Sequence, residues 1–177
     1  MPSRILITGP PRSGKSTLIS RLIEHYRKKR YPIFGFITPE VTEHNRRIGF
    51  DIEDIETNQR ITFARIGNFN TNYRLGKYSI FIENLENFIL KFEKQDFNDN
   101  SIVFIDEIGK MELFSKKFQH FIKKIFEAKH HLIATIGEKI QHPIKNYILN
   151  LPKIIYINLN QVNQEEIYEK LLSLIEE

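Results

Sequence analysis

Arg4-Ile5-Leu6-Ile7-Thr8-Gly9-Pro10-Pro11-Arg12-Ser13-Gly14-Lys15-Ser16-Thr17 is the stretch from which the rest of the chain is read. Its first five residues make a short apolar, β-branched run, and from Lys15 onward Leu18, Ile19, Leu22, Ile23 and Tyr26 recur at helical spacing. Strand, loop, helix is the reading. Between strand and helix, Gly9, Gly14, Lys15 and Ser16 satisfy the pattern G-x-x-x-x-G-K-[ST], in the strand-to-helix setting the pattern requires. A polyphosphate must be wrapped by backbone N–H groups, and glycines at both ends of the loop allow a tight turn close to the phosphate oxygens. The first helical turn adds free N–H groups and partial positive charge. The loop from Gly9 through Pro10, Pro11, Arg12, Ser13 and Gly14 to Lys15 and Ser16 therefore reads as the cradle of a nucleoside triphosphate. Lys15 reaches the β- and γ-phosphates, and the Ser16 hydroxyl is a ligand of Mg²⁺ bridging the same oxygens.

A second constellation lies mid-chain. Ile102-Val103-Phe104-Ile105 is a buried-strand run ending in Asp106-Glu107. Asp106 is placed to hold Mg²⁺ through water, opposite Ser16. Glu107 is placed to orient and help deprotonate a water aimed at the γ-phosphorus. Thr135, at the end of a further strand, is a candidate for contacting the γ-phosphate or that water. Lys110, Arg46, Arg47, Arg74 and Lys77 are candidates for supplying transition-state charge, and sequence does not choose among them. His130-His131 and His142 match neither a zinc site nor a nucleophile-activating pair.

Outward from these runs, apolar segments alternate with helical stripes. Ile33 to Thr38, His131 to Ile136 and Ile154 to Leu159 read as buried strands; Glu83 to Lys94, Ser115 to Ala128, Pro143 to Asn150 and Gln164 to Glu176 read as helices. Five buried strands interleaved with helices predict an α/β fold, with a mainly parallel sheet covered on both faces. Residues 41–65 behave differently, alternating apolar and polar about Thr57-Asn58, and predict an inserted antiparallel ribbon. Gly67 to Lys77 reads as a loop, followed by a short strand from Tyr78 to Ile82. The economical answer is a single domain over residues 1–177.

At 177 residues the chain is long enough to bury roughly 70% of its unfolded surface without staples. It has no cysteine, hence neither disulfides nor thiolate chemistry, and no apolar run approaches a membrane span. A cytoplasmic protein is expected. The net charge of +4 suits an anionic ligand, and a nucleotide is one. Arg27-Lys28-Lys29-Arg30 closes the first helix, where cations favour the negative end of its dipole. No aromatic residues interleave there to stack bases, so the run reads as a helix end and not a nucleic-acid patch; a nucleic-acid or protein partner stays open but unsupported, and a monomer is expected.

The run Asp106-Glu107-Ile108-Gly109-Lys110-Met111-Glu112-Leu113-Phe114 resembles the signature of the cancer-related nucleoside-triphosphatase family, small P-loop proteins of the thermophilic nucleoside-triphosphatase type. Gly35-Phe36-Ile37-Thr38, Arg47-Ile48-Gly49-Phe50, Ala134-Thr135-Ile136 and His142-Pro143 are similar in order and spacing. The resemblance implies a RecA-like sheet, with the fourth core strand between the first and third. It also implies slow Mg²⁺-dependent hydrolysis of ATP, GTP and other ribonucleoside triphosphates, with little base selectivity. By position, it puts nucleotide contacts on Gly9 to Ser16 and on Ile102, Val103, Phe104, Ile105, Asp106, Glu107, Ile108 and Gly109. Two positions depart from the family pattern: Arg12 stands where a small residue is usual, and Ser79 where glycine is common. The same cradle also serves nucleoside or nucleotide kinases and nucleotide-controlled switches, which remain alternatives.

Overall fold

The computed structural model describes residues 1–177. The chain runs β1 (Arg4–Thr8), α1 (Lys15–Lys28), β2 (Ile33–Ile37), β3 (Glu40–Glu43), β4 (Arg46–Asp54), β5 (Arg60–Ile66), β6 (Tyr73–Leu75) and β7 (Tyr78–Ile80). It continues with α2 (Ile82–Phe92), β8 (Ile102–Ile108), a 3-10 turn (Glu112–Phe114), α3 (Lys116–Glu127), β9 (His131–Ile136), α4 (Pro143–Asn150), β10 (Ile154–Asn158) and α5 (Gln164–Glu176). All ten strands belong to one sheet, ordered β10-β1-β9-β8-β2-β4-β5-β7-β6, with β3 paired to β4. The first five of that order are mutually parallel, and β9 does lie between β1 and β8.

Parallel strands closed by helices on both sides must be apolar on both faces, and alternate residues divide accordingly. On β8, Val103 and Ile105 join a core of 25 buried residues beneath α2, α3 and α4, while Ile102 and Phe104 join one of 17 beneath α1 and α5. Phe118, Phe121, Ile122, Ile125 and Phe126 form the buried stripe of α3, and Ser115 caps it by accepting a hydrogen bond from Phe118 N at 3.0 Å.

Three expectations change. The ribbon spans five strands, β3 to β7, rather than residues 41–65, and joins the parallel sheet through β2–β4 pairing. The stretch from Gly67 to Lys77 contains β6, three residues ordered by pairing with β7. Ser79 contributes here: its buried hydroxyl donates to Gly67 O at 2.5 Å, tying the loop to β7. Finally, β10 is an edge strand on which only Ile157 is buried, so the core sheet has four fully enclosed strands and one open edge.

Candidate active site

In open α/β sheets, ligands bind outside the carboxyl ends of the parallel strands, where the strand order reverses. The loop after β1, the ends of β2 and β8 and the turn after β9 border one cleft of about 610 Å³ there, a size ordinary for a small-molecule site. Gly9, Pro11, Arg12, Gly14, Lys15 and Ser16 line one side, and Asp106, Glu107, Gly109 and Lys110 the other. The mid-chain carboxylates are thus carried to the amino-terminal loop, as the sequence predicts.

The loop closes locally. Ser13 N donates to Pro10 O at 3.1 Å, and Gly14, with φ +93°, turns the chain into α1 in a conformation that side chains disfavour. Arg12 also takes a left-handed conformation, φ +62°, at the position where the family favours a small residue. The Lys15 ammonium donates to Gly9 O at 2.8 Å and Pro10 O at 3.1 Å, folded over its own loop.

Consecutive strand residues normally point to opposite faces, yet Asp106 and Glu107 both face the cleft. The pairing of β8 with β9 explains this. Ile105 lies opposite Ala134 and Ile108 opposite Ile136, so β8 carries one extra residue in a bulge that re-aims the pair. The bulge is held from beside: the Thr38 hydroxyl donates to Asp106 O at 2.9 Å. From behind, the fully buried Thr135 hydroxyl donates to Asp106 Oδ1 at 2.7 Å.

Electrostatically the cleft is strained towards negative charge. Burial raises the Asp106 carboxyl above its usual range, although Thr135, Ser16 and the Lys15 charge oppose the shift. Burial and then the neighbouring Asp106 raise Glu107, with Lys15 opposing. Glu112, only 4% exposed, is raised furthest, by burial and by Glu107; backbone N–H groups of Glu112 and Gly109 oppose. A Cβ on Gly109 would sit 2.5 Å from Glu112 Oε2 and 3.0 Å from Glu107 Oε1, so the turn needs a glycine between two carboxylates.

This donor set fits a hard divalent cation: a buried carboxylate and a hydroxyl, all oxygen, with negative charge left uncompensated.

Other expectations are relocated. Ile102, Val103, Phe104 and Ile105 are fully buried in the two cores and do not line the cleft; they carry Asp106 and Glu107 to it. Ile108 is likewise core. Thr135 sits behind Asp106, its hydroxyl committed there, and is not among the cleft-lining residues. Lys110 does line it, exposed. Sequence reasoning assigned no site role to Thr38, Glu40 or the turn Gly137 to Ile140, all of which border the cleft. Only the pairing of strands distant in sequence brings them there.

Comparisons with known proteins agree with this fold. A family model described as NTPase matches residues 4–172. The chain is 33% identical over 172 residues to the nucleoside-triphosphatase THEP1 of Methanocaldococcus jannaschii, covering 97% of this chain and 96% of that protein. To the THEP1 of Thermotoga maritima it is 35% identical, covering 97% and 95%. The crystal structure of THEP1 from the hyperthermophile Aquifex aeolicus matches with a TM-score of 0.85 at 33% identity, over 98% of this chain and 99% of that one. The solution structure of a human cancer-related nucleoside triphosphatase matches with a TM-score of 0.82 at 27% identity, over 98% and 97%.

Proposed function

The chain belongs to the NTPase family, and from that premise we propose that it is a Mg²⁺-dependent nucleoside-triphosphatase, releasing diphosphate and phosphate slowly and with broad base tolerance. One observation carries the reading: the Asp106–Glu107 pair borders the same cleft as Lys15, Ser16 and the loop between Gly9 and Gly14.

The residues divide the work. Backbone N–H groups of the loop and the first turn of α1 bind the phosphates. Lys15 leaves its carbonyl partners and follows the charge growing on the β- and γ-oxygens. Ser16 and Asp106 would hold Mg²⁺, which would neutralise phosphate charge when bound. Thr135 and Thr38 fix Asp106 from two sides. Glu107 holds the attacking water and takes its proton, and the raised proton affinity conferred by burial and by Asp106 suits a general base.

Phosphate release is measured with ATP, GTP, CTP or UTP and Mg²⁺, with and without nucleoside or nucleotide acceptors. Acceptor-independent release supports hydrolysis, whereas label transferred to an acceptor would replace this reading with a kinase. Glu107→Gln should bind a non-hydrolysable triphosphate as the parent does but turn over about 10² to 10⁴ times more slowly. Lys15→Ala should weaken both binding and turnover. Parental turnover in Glu107→Gln would remove Glu107 from the role of base.

A further inference from the structure

Phosphoryl transfer at a loop of this kind is accelerated chiefly by a cation placed against the developing charge, and an arginine in that position is worth about 10³ to 10⁵ in rate. The cleft sets Asp106, Glu107 and Glu112 against a polyanionic substrate; besides Lys15, which is committed to the phosphate loop, the cations on its lining are Arg12, Arg47, Lys110 and Lys139.

The fold separates the basic residues. Arg74 is turned away, donating to Gly67 O at 3.3 Å, and does not border the cleft. Arg46 and Lys77 border only a neighbouring outer groove. Arg12, Lys110 and Lys139 border the cleft but are exposed, with no side-chain hydrogen bond or ion pair to fix them. Arg47 borders both cleft and groove, and it alone of these cations is held from several sides. Its Nη1 donates to Glu40 Oε1 at 2.8 Å and its Nε to Tyr78 Oη at 3.0 Å, while the guanidinium carbon lies 5.3 Å from the Phe50 ring centroid.

Two further features bear on its use. Glu40, its carboxylate partner, follows by two residues the Thr38 that anchors Asp106 O, so the clamp on Arg47 is tied to the frame of the acids. The Arg47–Glu40 pair is about half exposed, the class of ion pair that solvent screening leaves weak. A stronger anion can therefore displace Glu40 cheaply, while Tyr78 and Phe50 still restrain the arginine.

Resting on the nucleoside-triphosphatase reading, we propose that Arg47 is a catalytic residue supplied by the antiparallel ribbon of the same chain, exchanging Glu40 for γ-phosphate oxygens as the transition state forms. The ribbon thereby completes the active site, and no second subunit is needed to lend the charge.

Turnover is measured for Arg47→Ala, Arg47→Lys, Lys110→Ala and the outer-groove control Arg46→Ala, alongside affinity for a non-hydrolysable triphosphate and retention of aluminium fluoride by the diphosphate complex. Arg47→Ala should lose about 10³-fold or more in kcat and fail to retain aluminium fluoride. Its affinity for the triphosphate should stay within a few-fold of parental, which also shows that the variant is folded. Arg47→Lys should recover only a small part of the rate, lacking the planar fork. The loss in Lys110→Ala should stay well below that in Arg47→Ala, and Arg46→Ala, outside the cleft, should keep most of its rate. Arg47→Ala turning over within about tenfold of the parent, or a loss as large in Lys110→Ala or Arg46→Ala, would overturn the assignment. Failure of the underlying reading looks different, because the parent itself would then release no phosphate.

Discussion

Asp106 shows what the site costs the fold. Its carboxyl is 7% exposed and its proton affinity is raised by burial, so the folded chain holds a proton there that the unfolded chain releases more readily. Stability contributed by that difference is full at acid pH, below the ordinary carboxylate range near 4, and is lost as pH rises through that range towards the raised value. Asp106→Asn removes the liability while keeping an oxygen to accept from Thr135. Without Mg²⁺ and nucleotide, the variant should melt above the parent at pH 7, with the gap closing as pH falls towards about 4, and its Mg²⁺-dependent turnover should be lost. Thermal melts across that range test it; a variant less stable than the parent at neutral pH would mean that the acid is already compensated in the empty site. The aspartate's place at a strand end was legible in sequence, because four apolar residues precede it. Its bulge was not, since two-residue periodicity carries no sign of an extra residue, and neither was the burial of Glu112, a residue type that ordinarily faces water.

Among the elements, β2 is the seam between parallel core and antiparallel ribbon, pairing with β8 on one side and β4 on the other. Gly35 makes that seam possible. Its φ is +110°, and an added Cβ would fall 1.9 Å from Phe104 O on β8. Gly35→Ala should therefore destabilise by about 3 kcal/mol or more, through backbone strain and a steric clash with a neighbouring strand that cannot yield. Urea unfolding measures this directly, and a loss below about 1 kcal/mol would show that the seam tolerates displacement. The elements that bury whole faces were readable: β1, β2, β8 and β9 from apolar runs, α1, α3 and α5 from their stripes, the α3 start from Ser115. Those defined only by partners were not. Strand β6 is three residues with no pattern of its own, and the outward growth of the ribbon depends on which edge β7 chooses. Arg47 falls in the same class, since its choice over the other cations rests on Glu40, Phe50 and Tyr78 meeting across three strands.

At the scale of the molecule, one sheet separates two cores, and each central strand contributes alternate residues to both. Removing packing on one face therefore weakens the other through shared backbone, and the site, built at the ends of those same strands, should be lost with them. Phe36 tests this coupling. It is fully buried on β2, with its ring 5.5 Å from Phe88 of α2 and 6.3 Å from Phe118 of α3 between centroids. It lies two residues before the Thr38 that steadies Asp106. Phe36→Ala should cost about 3 to 5 kcal/mol, with loss of helical signal and loss of nucleotide binding falling on one denaturation curve shifted to lower urea. Two separated transitions, with binding lost before the helices of the α1–α5 face unfold, would instead divide the chain into units that melt independently and would count against the expectation of a single domain over residues 1–177.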